Sequence, residues 1–328
     1  MTTRAAPPPI EIGLTAAIVT VAGNQPLILV ASPASKGEPD GLPFGPFDPL
    51  MHRTFEMGLR AWVAEQTALP LGYVEQLYTF GDRGRHAAQN DPGPHLVSVG
   101  YLALTLPSAE SEEALARAGA MWRHWYQFFP WEDWRGGRPA LLDTTILPTL
   151  RRWAKSPPAD NAPVRALSRQ ERVRLSFGDE NTRFDEERTL DRYELLYEAG
   201  LVEEARRDGR PAAENAPSPV GTPMRFDHRR ILATAIGRLR AKLKYRPVVF
   251  ELMPPEFTLT ELQRTVEAIS GRHLHQQNFR RLVESAALVE PTGVTATQKR
   301  GRPAALFRFR REVVKERPAP GLRVGGRL

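Results

Sequence analysis

Six consecutive residues, Gln276-Gln277-Asn278-Phe279-Arg280-Arg281, bring together the side chains that read base edges in DNA. Gln and Asn pair bidentately with adenine, and Arg pairs with guanine or neutralises phosphate. Their spacing predicts a helix over 275–286. Phe279, Leu282, Val283 and Ala286 fall on its inner face, and Gln276, Gln277, Asn278, Arg280, Arg281 and Glu284 on its outer face. The polar residues occupy the first two turns, the part of a recognition helix that enters a major groove. His275 stands at the helix start, close to where a phosphate would lie. Some twenty residues on, Lys299-Arg300-Gly301-Arg302-Pro303 is slim and cationic, suited to a minor groove or a run of phosphates.

These residues need elements to aim them. Thr258-Leu259-Thr260-Glu261 reads as a capping box, in which the Thr258 hydroxyl caps the third amide and Glu261 reaches back. It opens a helix holding Leu262, Val266 and Ile269 that stops at Gly271. Thr258 and Thr260, at its start, are candidate DNA contacts. Two short helices around a Gly-containing turn make a helix-turn-helix. Leu288-Val289-Glu290, a turn at Gly293 and Ala305–Phe309 then predict a β-hairpin wing with Lys299, Arg300 and Arg302 at its tip. A further amphipathic helix, Asp227–Lys244, precedes them. Charge agrees with this reading. Of 45 Lys+Arg and 38 Asp+Glu in 328 residues, 24 basic and 29 acidic residues precede Phe226, leaving 21 against 9 after it. A basic part of that size points to a polyanion.

The preceding part reads as a hairpin around Gly23-Asn24-Gln25-Pro26, a helix over Leu50–Leu69, strands at Gly72–Phe80 and His95–Leu106, and helical stretches within 108–206. Its aromatic run, Trp122 to Trp134, is expected to be core. Ile12 to Ser35 carries no charge, but its turn residues divide it into two strands rather than a membrane span. The absence of Cys removes thiolate zinc sites, iron–sulfur clusters, disulfides and Cys nucleophiles, and suits a cytoplasmic protein. His273-x-His275 lacks the partners of a metal site. No nucleophile elbow, P-loop or G-x-G-x-x-G string is present. Asp208–Met224, with four Pro and two Gly, reads as a linker.

Two blocks of this sequence resemble the Nudix-related transcriptional regulators (NrtR). The first runs from the hairpin through Tyr73-Val74-Glu75-Gln76-Leu77-Tyr78-Thr79-Phe80-Gly81-Asp82 to Ser98–Leu104. The second comprises Phe250-Glu251-Leu252-Met253-Pro254-Pro255-Glu256-Phe257-Thr258-Leu259, Asn278-Phe279-Arg280-Arg281 and Gly301-Arg302-Pro303-Ala304. The extra segment at about 107–225 makes the chain longer than the usual member and closer to the NadQ-type regulators described in alphaproteobacteria. The resemblance implies an α+β fold: an N-terminal Nudix-like α/β/α sandwich (10–207), a Pro-rich linker (208–225), a C-terminal winged helix-turn-helix (226–312) and a basic tail (313–328). It also implies a homodimeric repressor of NAD-biosynthesis genes on a palindromic double-stranded operator, with a nucleotide effector (ATP, NAD(H) or ADP-ribose) and no catalytic cofactor. Candidate effector contacts are Tyr78 and Phe80 for stacking and Arg83 and Arg85 for phosphate. Strand core is an equal alternative for the two aromatics, and a solvated loop for the two Arg.

Nudix hydrolysis needs several Glu on one helix to hold Mg²⁺ against a pyrophosphate. Aligned to end on Leu69, the signature G-x5-E-x7-R-E-U-x-E-E-x-G-U meets Phe47, Arg53, Ala61, Trp62, Glu65, Gln66 and Ala68. Only Glu65 keeps a carboxylate, so no catalytic or metal residue is expected. The rival readings are an active Nudix pyrophosphohydrolase with an accessory basic domain and a winged-helix adaptor for protein.

Overall fold

The computed structural model describes residues 9–32, 37–67, 69–82, 93–106, 109–156, 167–213, 216–296, 303–317 and 319–322. Strands β1 (Ile10–Ala22) and β2 (Gln25–Ala31) form the expected hairpin. Gly23 and Asn24 both have positive φ (57° and 61°), the two-residue turn whose twist matches that of the strands. Then follow β3 (Phe44–Pro46), α1 (Phe55–Thr67), β4 (Val74–Phe80) and β5 (His95–Leu104). Next come α2 (Ala109–Arg117) and β6 (Ala120–His124). The sheet order is β4-β5-β1-β2-β6, with β3 also paired to β1. β1 and β5 run parallel, from Ile10 opposite His95 to Val19 opposite Leu104.

The two central strands are apolar on both faces, as strands covered by helices on both sides must be. Leu14, Ala16, Ile18, Val99, Tyr101 and Ala103 pack with Leu59 and Val63 of α1. Ala17, Val19, Leu102 and Leu104 point the other way, into a larger core. That core is covered by α7 (His228–Leu243), which presents Ile231, Leu232, Ala235 and Leu239 to it. The result is an α/β/α sandwich.

Between β6 and α7 lies a helical cap: α3 (Leu147–Ala154), α4 (Arg169–Phe177), α5 (Thr189–Glu198) and α6 (Glu203–Arg207). The aromatic run enters it as core, with Trp125, Phe128, Phe129 and Trp131 fully buried.

Two expectations about domain organisation change. The described residues of 208–225, 208–213 and 216–225, are packed rather than free. Val220 and Met224 are buried, Val220 N donates to Leu201 O, and Thr222 N donates to Gln127 O. Met224 N donates to a Glu204 carboxylate oxygen. Proline in this stretch therefore shapes a seated strap. Helix α7, assigned from charge to the basic domain, completes the sandwich instead. Its amphipathic pattern states that one face is buried but not against what. The described part of the tail, 313–317 and 319–322, is seated as well: α10 (Val313–Glu316) buries Val313, and Leu322 N donates to Leu243 O at the end of α7.

Candidate nucleic-acid interface

Helix α8 (Leu259–Ser270) begins at the expected box. Thr258 Oγ1 accepts from Glu261 N at 3.2 Å, and Glu261 Oε2 accepts from Thr258 N at 2.7 Å. Closing this box buries Thr258 to 6% exposure. Its hydroxyl is committed to the cap, so Thr258 is withdrawn as a DNA contact. Thr260 is half-buried, in the first turn of the helix.

Helix α9 (Gln276–Ala286) has the predicted polarity. Phe279 and Val283 are buried, whereas His275, Gln276, Gln277, Arg280 and Arg281 are exposed. Asn278 Oδ1 accepts from Arg281 Nη2 at 2.6 Å, so two candidate readers are held together before any DNA arrives. His275 caps α9 with its backbone alone, and the first turn has no acidic residue. The positive end of the helix thus faces outward uncompensated, a favourable place for phosphate.

The turn between the helices is held by residues that the sequence reading did not single out. Gln263 Nε2 donates to Leu274 O at 2.8 Å, and Glu267 Oε1 accepts from Leu274 N at 2.8 Å. Both backbone groups of one turn residue are thereby satisfied from α8. Their spacing of four on a polar helix edge was the available signal. Glu267 also pairs with His273 Nδ1 at 3.1 Å. Among the described residues no three His, Cys, Asp or Glu gather as a metal group.

Strands β7 (Val289–Ala296) and β8 (Ala304–Phe309) form the wing. Phe257 and Phe307 exchange backbone hydrogen bonds at 2.9 and 2.8 Å, tying the segment before α8 to the hairpin. The tip residues Lys299, Arg300 and Arg302 lie outside the described residues.

The winged helix does not stand apart. Phe257, Leu262, Val266, Ile269, Phe279 and Val283 belong to the same core as the α7 face of the sheet. The C-terminal end of α8 is held by the aromatic run and by α7. Tyr126 OH donates to Ala268 O at 2.8 Å, Arg240 Nε to Ile269 O at 3.0 Å, and Trp134 N to Gly271 O at 2.7 Å. Arg240 is itself fixed by Glu132, which also binds Arg192, and all three side chains are fully buried. Burial pushes the Glu132 carboxyl up. The two guanidiniums outweigh it and hold the group below the usual carboxylate range.

On the sandwich, Tyr78 is 62% exposed and Phe80 only 1%. Phe80 lies beneath the Arg230 guanidinium, 5.4 Å from its ring centre. It is strand core with no face for a base, so it is withdrawn as an effector contact. Arg83 and Arg85 lie outside the described residues. Arg230 pairs with Asp82, with Glu194 at 2.6 Å and with Asp227 at 3.1 Å. On α1, Glu65 is exposed, and the Trp62 ring lies so close over Gly45 that a Cβ there would sit 2.3 Å from Trp62 Nε1. The neighbouring Arg60 donates to Glu56 at 2.9 Å and to Leu71 O at 2.8 Å.

Comparison with known proteins adds the following. Residues 249–309 match the NrtR DNA-binding winged helix domain. The chain is 43% identical over 84 residues to the ADPR responsive transcriptional repressor NtrR of Acinetobacter baylyi, a match spanning 26% of this chain and about a third (33%) of that protein. The crystal structure of Shewanella oneidensis NrtR complexed with a 27mer DNA is similar with a TM-score of 0.54 and 21% identity, over 93% of this chain and 95% of that one. The structure of S. oneidensis NrtR alone is similar with a TM-score of 0.53 and 21% identity, over 92% and 95%. At this identity the likeness is one of fold, and it spans the sandwich and the winged helix together.

Proposed function

We propose that this chain, a Nudix-like domain followed by an NrtR-type winged helix, is a transcriptional repressor. In this reading it binds a palindromic operator as a homodimer and is released or engaged by a nucleotide. The observation that carries the reading is the outer face of α9. Gln276, Gln277, Arg280 and Arg281 are exposed in one row, and Arg281 is already paired to Asn278. ADP-ribose is the leading effector because the A. baylyi relative is ADPR responsive. ATP and NAD(H) follow from the resemblance to NadQ-type regulators.

The sandwich senses rather than hydrolyses. At the signature positions on α1, Trp62 packs on Gly45 where a metal carboxylate would be required, and Glu65 stands without a second Glu. One carboxylate cannot hold Mg²⁺ against a pyrophosphate. Effector contact is assigned to Tyr78 with Arg83 and Arg85, and DNA contact at the wing tip to Lys299, Arg300 and Arg302. No described helix is long and apolar enough to cross a membrane.

The test is a gel shift on DNA upstream of this protein's own gene and of NAD-synthesis genes, with and without ADP-ribose, ATP, NAD⁺ and NADH. A sequence-specific shift altered by one nucleotide is expected. Absence of any specific shift at low salt would overturn the reading. Metal-dependent turnover of ADP-ribose would restore the hydrolase alternative.

A further inference from the structure

A cleft of about 980 Å³ opens where the sandwich meets the base of the wing. One wall is Tyr73, just before β4, with Lys242 from the last turn of α7 and Arg246 just past its end. The other comes from the turn at 248–252 and the end of β8. Its chemistry has two parts. The floor is aromatic: Phe250 stacks on Phe309 at 4.3 Å and 19°. The rim is cationic, with Lys242, Arg246, Arg308 and Arg311 against the single carboxylate of Glu251.

Two of the four cations are already matched. Lys242 pairs with Glu75 at 3.1 Å and Arg308 with Glu290 at 2.6 Å. The guanidiniums of Arg246 and Arg311 are exposed and make no hydrogen bond or ion pair among the described residues. At the mouth, Leu106 and Val314 leave apolar surface open to water, 38% and 47% exposed. An inorganic anion would answer the arginines and leave the aromatic floor wet. A neutral apolar molecule would do the reverse. A flat apolar body carrying phosphate answers both.

DNA is not the natural occupant. β8 runs from the tip side at Ala304 to Phe309, which places Arg308 about 13 Å and Phe309 about 17 Å from the tip end at 3.3 Å per residue, with Arg311 beyond the end of the strand at the base of the wing. The cleft is also distinct from the effector contacts considered above, because Tyr73 and Tyr78 stand at opposite ends of β4.

We propose that this cleft is a second ligand site, which takes a nucleotide with its ring against Phe250 and Phe309 and its phosphate on Arg246 and Arg311. Such a ligand touches α7, the turn before α8 and the base of the wing together. Its binding is therefore coupled to how the wing is held.

Equilibrium dialysis of the full chain with ATP, NAD⁺ or ADP-ribose tests this. Three proteins are compared: wild type, Arg246→Glu/Arg311→Glu and Tyr78→Ala. Because neither arginine has a partner among the described residues, the double variant is expected to keep the wild-type circular dichroism and Tm. The wild type is expected to bind two equivalents of at least one nucleotide. The double variant should lose one equivalent, weakened about tenfold or more, and Tyr78→Ala should keep it. The same stoichiometry and affinity in wild type and double variant would overturn the proposal, as would no saturable binding of any of the three. Equal competition by inorganic pyrophosphate would overturn the role of the aromatic floor. This proposal rests on the nucleotide-sensing reading above. The operator shift in the nucleotide-free lanes reports DNA binding alone, and dialysis without DNA reports nucleotide binding alone, so failure of one is distinguishable from failure of the other.

Discussion

At the residue scale, the proposed DNA contacts and the residues that seat their helices have different energetic meanings. Arg281 is exposed and held by Asn278, so its geometry is set before binding. Arg281→Ala is expected to weaken operator binding by about 1–3 kcal/mol and to relax preference at one base pair, measured by titrating operators that differ at single positions. Lys299→Ala, at the wing tip, should instead weaken binding to all sequences and lower the salt slope by about one. Gly271 is a different kind of residue. Its φ of 73° already excludes most side chains, and a Cβ there would lie 2.4 Å from Glu132 O and 2.8 Å from Tyr126 OH. Gly271→Ala is expected to cost about 1–3 kcal/mol, seen as a lowered midpoint in urea. The sequence marked Gly271 as a helix terminator. It did not mark it as a docking point, because the atoms it meets come from residues 126 and 132.

At the element scale, the legible parts are those whose signals are local. The capping box at Thr258, the apolar row of α9 and the β1–β2 turn each depend on residues within a turn or two, and each element forms where its pattern lies. A second capping box, Ser168 with Glu171 at the start of α4, carries the same local signal. Strand β6 was hidden inside the aromatic run, whose Trp122 faces the α1 side of the sheet. What no local pattern announces is the Glu132–Arg192–Arg240 cluster, since three charged residues far apart in sequence read as surface.

That cluster makes α5, α7 and the cap one unit. Removing its centre leaves two buried cations, so Glu132→Gln should destabilise by about 3–5 kcal/mol, measured by denaturant unfolding. The pH dependence follows from the lowered carboxyl. In the unfolded chain Glu132 titrates near the ordinary value of about 4.3, and in the fold it titrates lower. Its stabilising contribution is thus complete above that ordinary value and is lost as pH falls through the folded one. The wild type should lose Tm on the acid side more steeply than Glu132→Gln.

At the scale of the whole molecule, the order of the chain and the order of the domains differ. Composition placed a boundary at 208–225, where Pro and Gly concentrate. Packing carries the sandwich through α7, and the NrtR match begins only at residue 249. Limited proteolysis is therefore expected to spare 216–224, where Met224 is buried and Val220 and Thr222 are hydrogen-bonded. A fragment beginning at 226 should be poorly folded, because α7 would expose Ile231, Leu232 and Leu239 to water. Early cleavage at 216–224, or a fragment that unfolds cooperatively on its own, would contradict this arrangement.

The bond from Tyr126 OH to Ala268 O joins residues 142 apart in sequence, and this separation has a kinetic side. Closing so long a loop brings little reward until both ends exist and the intervening helices are in place. During synthesis the N-terminal sheet can form first, but the helix-turn-helix cannot take its final seat until the chain has emerged through Ala286, the end of α9. The proposed grip on an operator would thus arise after the sheet, so a chain terminated before α8 would be unable to occupy the site of a finished one.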